Sequence, residues 1–142
     1  MTQFSLDARL ASDSIWIADQ DGFTIRLFND SRYVWVIIVP MQAGIVELHD
    51  LSPDDHNRLM ALARRLGERL HAHLDADKIN TAAIGNIVSQ LHLHIVVRHA
   101  NDPAWPAPVW GHSPAAPLTD QHRDERIALI RQILTEQARA SV

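Results

Sequence analysis

The 142 residues contain no cysteine, so the chain has no disulfide, no thiol nucleophile and no thiolate metal ligand. Lysine is nearly missing as well: of the 13 basic residues, only Lys78 is not arginine. The longest apolar stretch, Tyr33 to Pro40, is far too short to span a bilayer. The N-terminus, MTQFSLDARL, has no basic patch ahead of an apolar run and does not read as a signal peptide. Neither sign of charge gathers into a block, and the net charge is -4. That excludes a protein whose affinity for nucleic acid or a membrane surface rests on a basic patch. What remains is a chain one ordinary domain long, 46% hydrophobic and 21% charged, enough for one core and a solvated surface. A cytoplasmic setting is expected, with no nucleic-acid and no membrane partner.

The periodicity is mixed. Ser14 to Ala18 and Thr24 to Phe28 are short β-type runs separated by the turn dipeptide Asp21-Gly22. Val34 to Val39 is continuous and β-branched, as in a central strand covered on both faces. Pro53 to Leu74 is the clearest helix: Ser52 offers an N-cap, Pro53 suits the first position, and Leu59, Leu62, Leu66, Leu70 and Leu74 form one stripe. Two more strands are expected at Lys78 to Ile84 and Leu91 to Arg98. Residues 101–117 hold five of the seven prolines and two of the four tryptophans, an ordered irregular segment rather than a linker. Thr119 to Arg139 reads as a helix with Ile127, Ile130, Leu134 and Ala138 on one face. The order predicts an α+β fold, an antiparallel sheet with its helices on one side. One domain is expected over 1–117, with 118–142 adding a helix to it.

Residues 90–98, QLHLHIVVR, carry the chemistry. Strand alternation puts Leu91, Leu93, Ile95 and Val97 on one face and Gln90, His92, His94 and Arg98 on the other, with Val96 between them. Polar groups in such number are costly to bury unpaired, so this face is expected to line a cleft; the plainer reading is an exposed edge strand. An HxH pair on a strand serves either metal ligation or phosphoryl and nucleotidyl transfer. Arg98 favours a phosphate over a cation, and a third ligand would have to come from His99, His112 or a distant carboxylate. No metal and no cofactor are therefore expected.

QLHLHIV resembles the signature of the histidine triad (HIT) family, His-φ-His-φ-His-φ-φ with φ apolar, except that Gln90 stands where the first His belongs. Four further features fall in the same order: Phe28-Asn29-Asp30, VWVIIVP, DLSPDD, and the Gly85-Asn86-Ile87-Val88-Ser89 lead-in. The stretch NDPAWPAPVWG resembles a bacterial subgroup carrying Gln at the first position. The resemblance spans roughly residues 14 to 105. It implies a five-stranded antiparallel sheet with a long helix packed on it, a homodimer, and action at the α-phosphate of a purine nucleotide or related small molecule. It also implies His92 as nucleophile, through a nucleotidyl-histidine, with His94 binding phosphoryl oxygens or helping to protonate the leaving group. A neutral imidazole is competent for that attack, and the ordinary histidine pKa near 6.5 leaves it mostly neutral. By position, Asn86 would contact phosphate, Asn80 would lie near the leaving group, Asn29 or Asp30 would hold the ribose, and Phe28 would pack the base.

Several residues depart from the family pattern. Gln90 cannot change charge, so the first histidine's proton role is lost or moved. Ile87 replaces a Ser/Thr hydroxyl, and Met41-Gln42-Ala43 replaces a lysine- and histidine-bearing segment. A nucleotide-binding module with little turnover is thus the alternative to an enzyme. Bland roles are expected for His49, His56, His71, His73 and His122 at the surface, and for Trp105 and Trp110 in loop packing. Asp30 could instead cap the turn before Tyr33, and Arg98 could pair with a carboxylate.

Overall fold

The computed structural model describes residues 3–140, with side chains through Glu136. Five strands form one antiparallel sheet, in the spatial order β1-β2-β3-β5-β4. They are β1 (Ser14–Gln20), β2 (Phe23–Phe28), β3 (Trp35–Pro40), β4 (Lys78–Ala82) and β5 (Leu93–Arg98). Asp21 and Gly22 both take positive φ, 53° and 87°, so the two-residue β1–β2 turn matches the twist of its strands. Strand β3 lies at the centre, pairing with β2 on one side and β5 on the other. Alternation divides it cleanly: Val36 and Ile38 face one core, while Trp35, Ile37 and Val39 face another.

The first core lies under the two long helices, α2 (Pro53–His73) and α3 (Asp120–Ala140). Ser52 caps α2, its hydroxyl accepting from the Asp55 N–H at 3.1 Å, and Pro53 fills the position whose N–H would go unused. The stripe Leu59, Leu62, Leu66 and Leu70 is buried against Ile25, Ile95 and Val97, each leucine contributing about 1.5–3 kcal/mol. Leu74, expected to end this helix, caps it instead. From α3, Ile130 and Ile133 are buried and Ile127 and Leu134 partly so; the Ala138 side chain lies outside the described residues.

The opposite face of the sheet is covered too. A short helix, α1 (Ala8–Asp13), sends Leu10 into the second core beside Tyr33, Trp35 and Val96, with Ala104 and Val109 of the proline-rich segment. The two long helices do share one side, as expected; α1 stands on the other, and a single buried residue in six gave it no period to detect. The sheet expectations shift only at the ends. β1 runs on to Gln20, β4 stops at Ala82 and β5 starts at Leu93, so Gln90, Leu91 and His92 precede the ladder. No helix among the described residues is long and apolar enough to cross a membrane.

Candidate active site

Residues 91–97 are all buried, and their alternation shows in which side of the sheet each side chain enters. Leu91, Leu93, Ile95 and Val97 point into the core beneath the helices, and Val96 into the other. His92 and His94 share the second face and meet with ring centroids 4.7 Å apart, at the base of a cleft of about 460 Å³. That size suits a small organic ligand. One wall comes from Phe28, Asp30, Arg32 and Trp35; the other from Ile84, Gly85, Asn86, Ile87 and Val88. α1 adds Arg9, Leu10 and Asp13, and the proline-rich segment adds Val109, Trp110 and Ser113.

The two imidazoles are held in opposite senses. His92 Nδ1 lies 2.7 Å from the main-chain carbonyl of Gln90, which can only accept, so Nδ1 carries the proton and Nε2 keeps its lone pair. The indole N–H of Trp35 donates to His94 Nδ1 at 3.0 Å; there the lone pair sits on Nδ1, and the proton of the neutral ring sits on Nε2. Burial of the His94 ring, 5% exposed, and next its neighbour His92 push its pKa down to about 3. Trp35 and Trp110 meet this ring at centroid distances of 5.7 and 5.4 Å, excluding water from it.

The remaining expected site residues divide. Phe28, Asp30 and Asn86 line the cleft. Phe28 stacks on Trp35 at 4.3 Å, a flat apolar surface beside the histidines. Asp30 forms a forked pair with Arg32: Oδ1 accepts from Nε at 3.0 Å and Oδ2 from Nη2 at 2.9 Å. Its Oδ1 also takes the Arg32 main-chain N–H, so it caps the turn as well as facing the cleft. The oxygen of Asn29 is engaged elsewhere, accepting from the Leu118 N–H at 2.9 Å.

Gln90, Asn80 and Arg98 do not join the histidines. The Gln90 amide ties down the N-terminal segment, accepting from the Asp7 N–H and donating to the Ser5 carbonyl, both at 2.9 Å. Its contribution at the cleft is its main-chain carbonyl. Arg98, 2% exposed, makes a two-pronged pair with Asp102 at 2.8 and 3.1 Å. It also donates to Asn80 Oδ1 and the Ala107 carbonyl, which binds the proline-rich loop to β4 and β5. Burial alone would push the Asp102 carboxyl up; the Arg98 guanidinium and the N–H groups of His99 and Trp105 outweigh it and hold it down to about 2. Arg98 and Asn80 line a separate depression with Lys78, Pro106 and Pro108. Here the carboxylate partner, not the phosphate, accounts for Arg98.

His99 and His112 stay out of the cleft, bonding to the Leu74 carbonyl and the Ser113 hydroxyl. No group of three or more potential metal-ligating side chains occurs among the described residues. Trp35 is a cleft residue to which sequence reasoning gave no role, and Trp110, expected to pack the loop, lines the cleft as well. A tryptophan inside the β-branched run VWVIIV was the available signal, since its N–H requires a partner when buried.

The comparisons accord with this geometry. Residues 9–101 match the HIT domain family model. No curated protein sequence matches the chain. Among solved structures, a histidine triad protein of Marinobacter aquaeolei VT8 is 38% identical, with a TM-score of 0.92, over 95% of this chain and 98% of that one. One from Sinorhizobium meliloti 1021 is 40% identical with a TM-score of 0.88, over 91% of this chain and 96% of its own. A third, from Bradyrhizobium japonicum, is 34% identical with a TM-score of 0.89, over 92% and 98% respectively. The sheet, the paired histidines at its heart and these likenesses have one common explanation: the chain belongs to the HIT domain family, whose members bind nucleotides and act as hydrolases or transferases.

Proposed function

We propose that the chain is a nucleotidyl hydrolase or transferase in which His92 Nε2 attacks the α-phosphorus of a purine nucleotide bearing a leaving group. The observation that carries this reading is the opposed protonation of the pair: a lone pair on His92 Nε2 beside a proton on His94 Nε2. The first is a nucleophile and the second a donor to a phosphoryl oxygen. In the first step the Nε2–P bond forms and the bond from phosphorus to the leaving group breaks. The leaving group departs with that electron pair and takes its proton from solvent. Water or an acceptor hydroxyl then attacks phosphorus, loses its proton, and returns the electron pair to His92. The ring is cationic in the intermediate, and the Gln90 carbonyl facing Nδ1–H favours that charge.

Phe28, stacked on Trp35, packs the base. Asp30 Oδ2, which accepts from Arg32 Nη2, retains a lone pair for a ribose hydroxyl. The exposed Asn86 contacts phosphate from the opposite wall. A homodimer is the proposed assembly: β4 is an edge strand, and beside it a shallow groove is lined by the partly exposed Met60 and Ile79 with the buried Ala63 and Gly67. The second reading, a binding module with little turnover, is favoured by Gln90, whose amide is spent on the N-terminal segment.

The test is to mix the protein with nucleoside phosphoramidates and dinucleoside polyphosphates, quench, and measure intact mass. A one-nucleotide adduct that forms in the wild type and is missing in His92→Ala is the expected result. Nucleotide affinity should stay within a few fold, because a nucleophile contributes mainly in the transition state. Turnover surviving in His92→Ala overturns the mechanism. Tight binding without adduct or turnover in the wild type selects the binding module.

A further inference from the structure

We propose that Trp35 is a positioning residue for the histidine pair: its indole N–H holds His94 with the proton on Nε2, making His94 a fixed hydrogen-bond donor that does not shuttle protons. This rests on the reading of the cleft given above and assigns a role to a residue outside the His-x-His motif.

An indole N–H can only donate, and at 3.0 Å its partner is His94 Nδ1, which must then present a lone pair. The bond is buried at both ends, Trp35 being 6% exposed and His94 5%, so water does not compete for either atom. The indole is also pinned on three sides. Phe28 stacks on it at 4.3 Å, Tyr33 meets its edge at 6.3 Å and Trp110 at 5.9 Å, which leaves no room for a ring flip. Register brings the residues together: Trp35 pairs with Val96 and Ile37 with His94, so Trp35 and His94 are diagonal neighbours on one face of β3 and β5.

The consequence for chemistry is specific. With Nδ1 occupied, His94 has no free lone pair to accept a proton, and its Nε2–H can serve only as a donor to phosphoryl oxygen. A neutral His94 also leaves the His92 lone pair uncontested. A phenylalanine at position 35 would keep the stacking but release Nδ1, letting His94 adopt either tautomer. The wrong one would turn a lone pair, rather than a proton, toward the phosphate.

The experiment compares wild type with Trp35→Phe and with a chain carrying benzothienylalanine at position 35, which replaces the N–H by sulfur at nearly unchanged shape. Long-range ¹H–¹⁵N correlation spectra of the imidazoles read the tautomers directly, without any turnover. In the wild type His94 should show an unprotonated Nδ1 and a protonated Nε2, and His92 the reverse. Both variants should show mixed tautomers at His94 alone. With a phosphoramidate substrate, kcat should fall about tenfold, the scale of one misdirected hydrogen bond, while KM stays within about twofold. A wild-type His94 protonated on Nδ1, or an unchanged tautomer and kcat in the isosteric variant, overturns the proposal. Failure of the His92→Ala test would remove the mechanism but leave the tautomer assignment measurable.

Discussion

The two walls of the cleft are built on different terms. The wall at residues 28–35 is sealed by chain from far along the sequence. Ser31 N–H donates to the Ala116 carbonyl at 2.6 Å, Leu118 N–H to Asn29, and Arg32 reaches the Ser113 hydroxyl. Arg126 of α3 then donates to the carbonyls of Asp30, Ser31 and Tyr33 at 3.0, 2.8 and 2.9 Å. Among the described residues the wall at 84–88 has no comparable bracing, and it turns Ile84 and Ile87 outward, the latter 77% exposed. A rigid wall suits the part of a substrate that never changes, and a loosely held one suits the part that is exchanged. Of the residues that depart from the pattern the resemblance implies, Ile87 lies on the open wall, while Gln90 and Met41-Gln42-Ala43 lie on neither.

Acid should separate the two walls most strongly, because His94 lies against the sealed one. Folded His94 accepts no proton until about pH 3, whereas an unfolded imidazole accepts one near 6.5. Between those values the unfolded chain binds more protons. Stability is therefore full above pH 6.5 and falls as pH drops toward 3, by an amount on the order of several kcal/mol. Urea unfolding from pH 7 to pH 4 should show that slope, and His94→Asn should flatten it. An equal slope in the variant would mean that His94 is not the group responsible.

A smaller effect is expected from Arg126→Ala, which removes three bonds to carbonyls of the sealed wall. A loss of about 2 kcal/mol in urea unfolding is expected, with weaker binding of nucleoside monophosphates by calorimetry. Unchanged affinity would show that α3 does not shape the binding wall. Smallest of all, Ile87→Ser should shift stability by under about 0.5 kcal/mol and leave monophosphate affinity within about twofold. Its effect should appear only when substrates with different leaving groups are compared by kcat/KM. A large loss of monophosphate binding would make the open wall part of the constant site and erase the contrast.

The sequence made the sheet legible because each strand and long helix has its own period. Residues 91–98 declare both faces, and Ser52-Pro53 declares where α2 begins. The histidine pair was readable from the same alternation, whereas Phe28, Asp30 and Asn86 were marked only by the resemblance to the family. Long-range bonds were not. Gln90 meets Ser5 and Asp7 across more than 80 positions, and Asn29 meets Leu118 across 89. No spacing rule connects such partners, so an amide destined for a backbone looks the same in sequence as one destined for a ligand. Arg98 and Asp102 are close in sequence, but their pairing depends on a turn inside the proline-rich segment, where no period exists.

The late start of β5 has its own effect on the nucleophile. Within a sheet, main-chain carbonyls are used up by the neighbouring strands, and a side chain finds none free beside it. The Leu93–Ile38 pair is the last rung between β3 and β5, so the chain has left the ladder by Gln90. That gives the Gln90 carbonyl to the ring of His92, two residues on. Extending the strand by three more rungs, as far as Gln90, would enlarge the sheet and disarm it, because the imidazole would then have lost the acceptor that orients its proton away from the cleft.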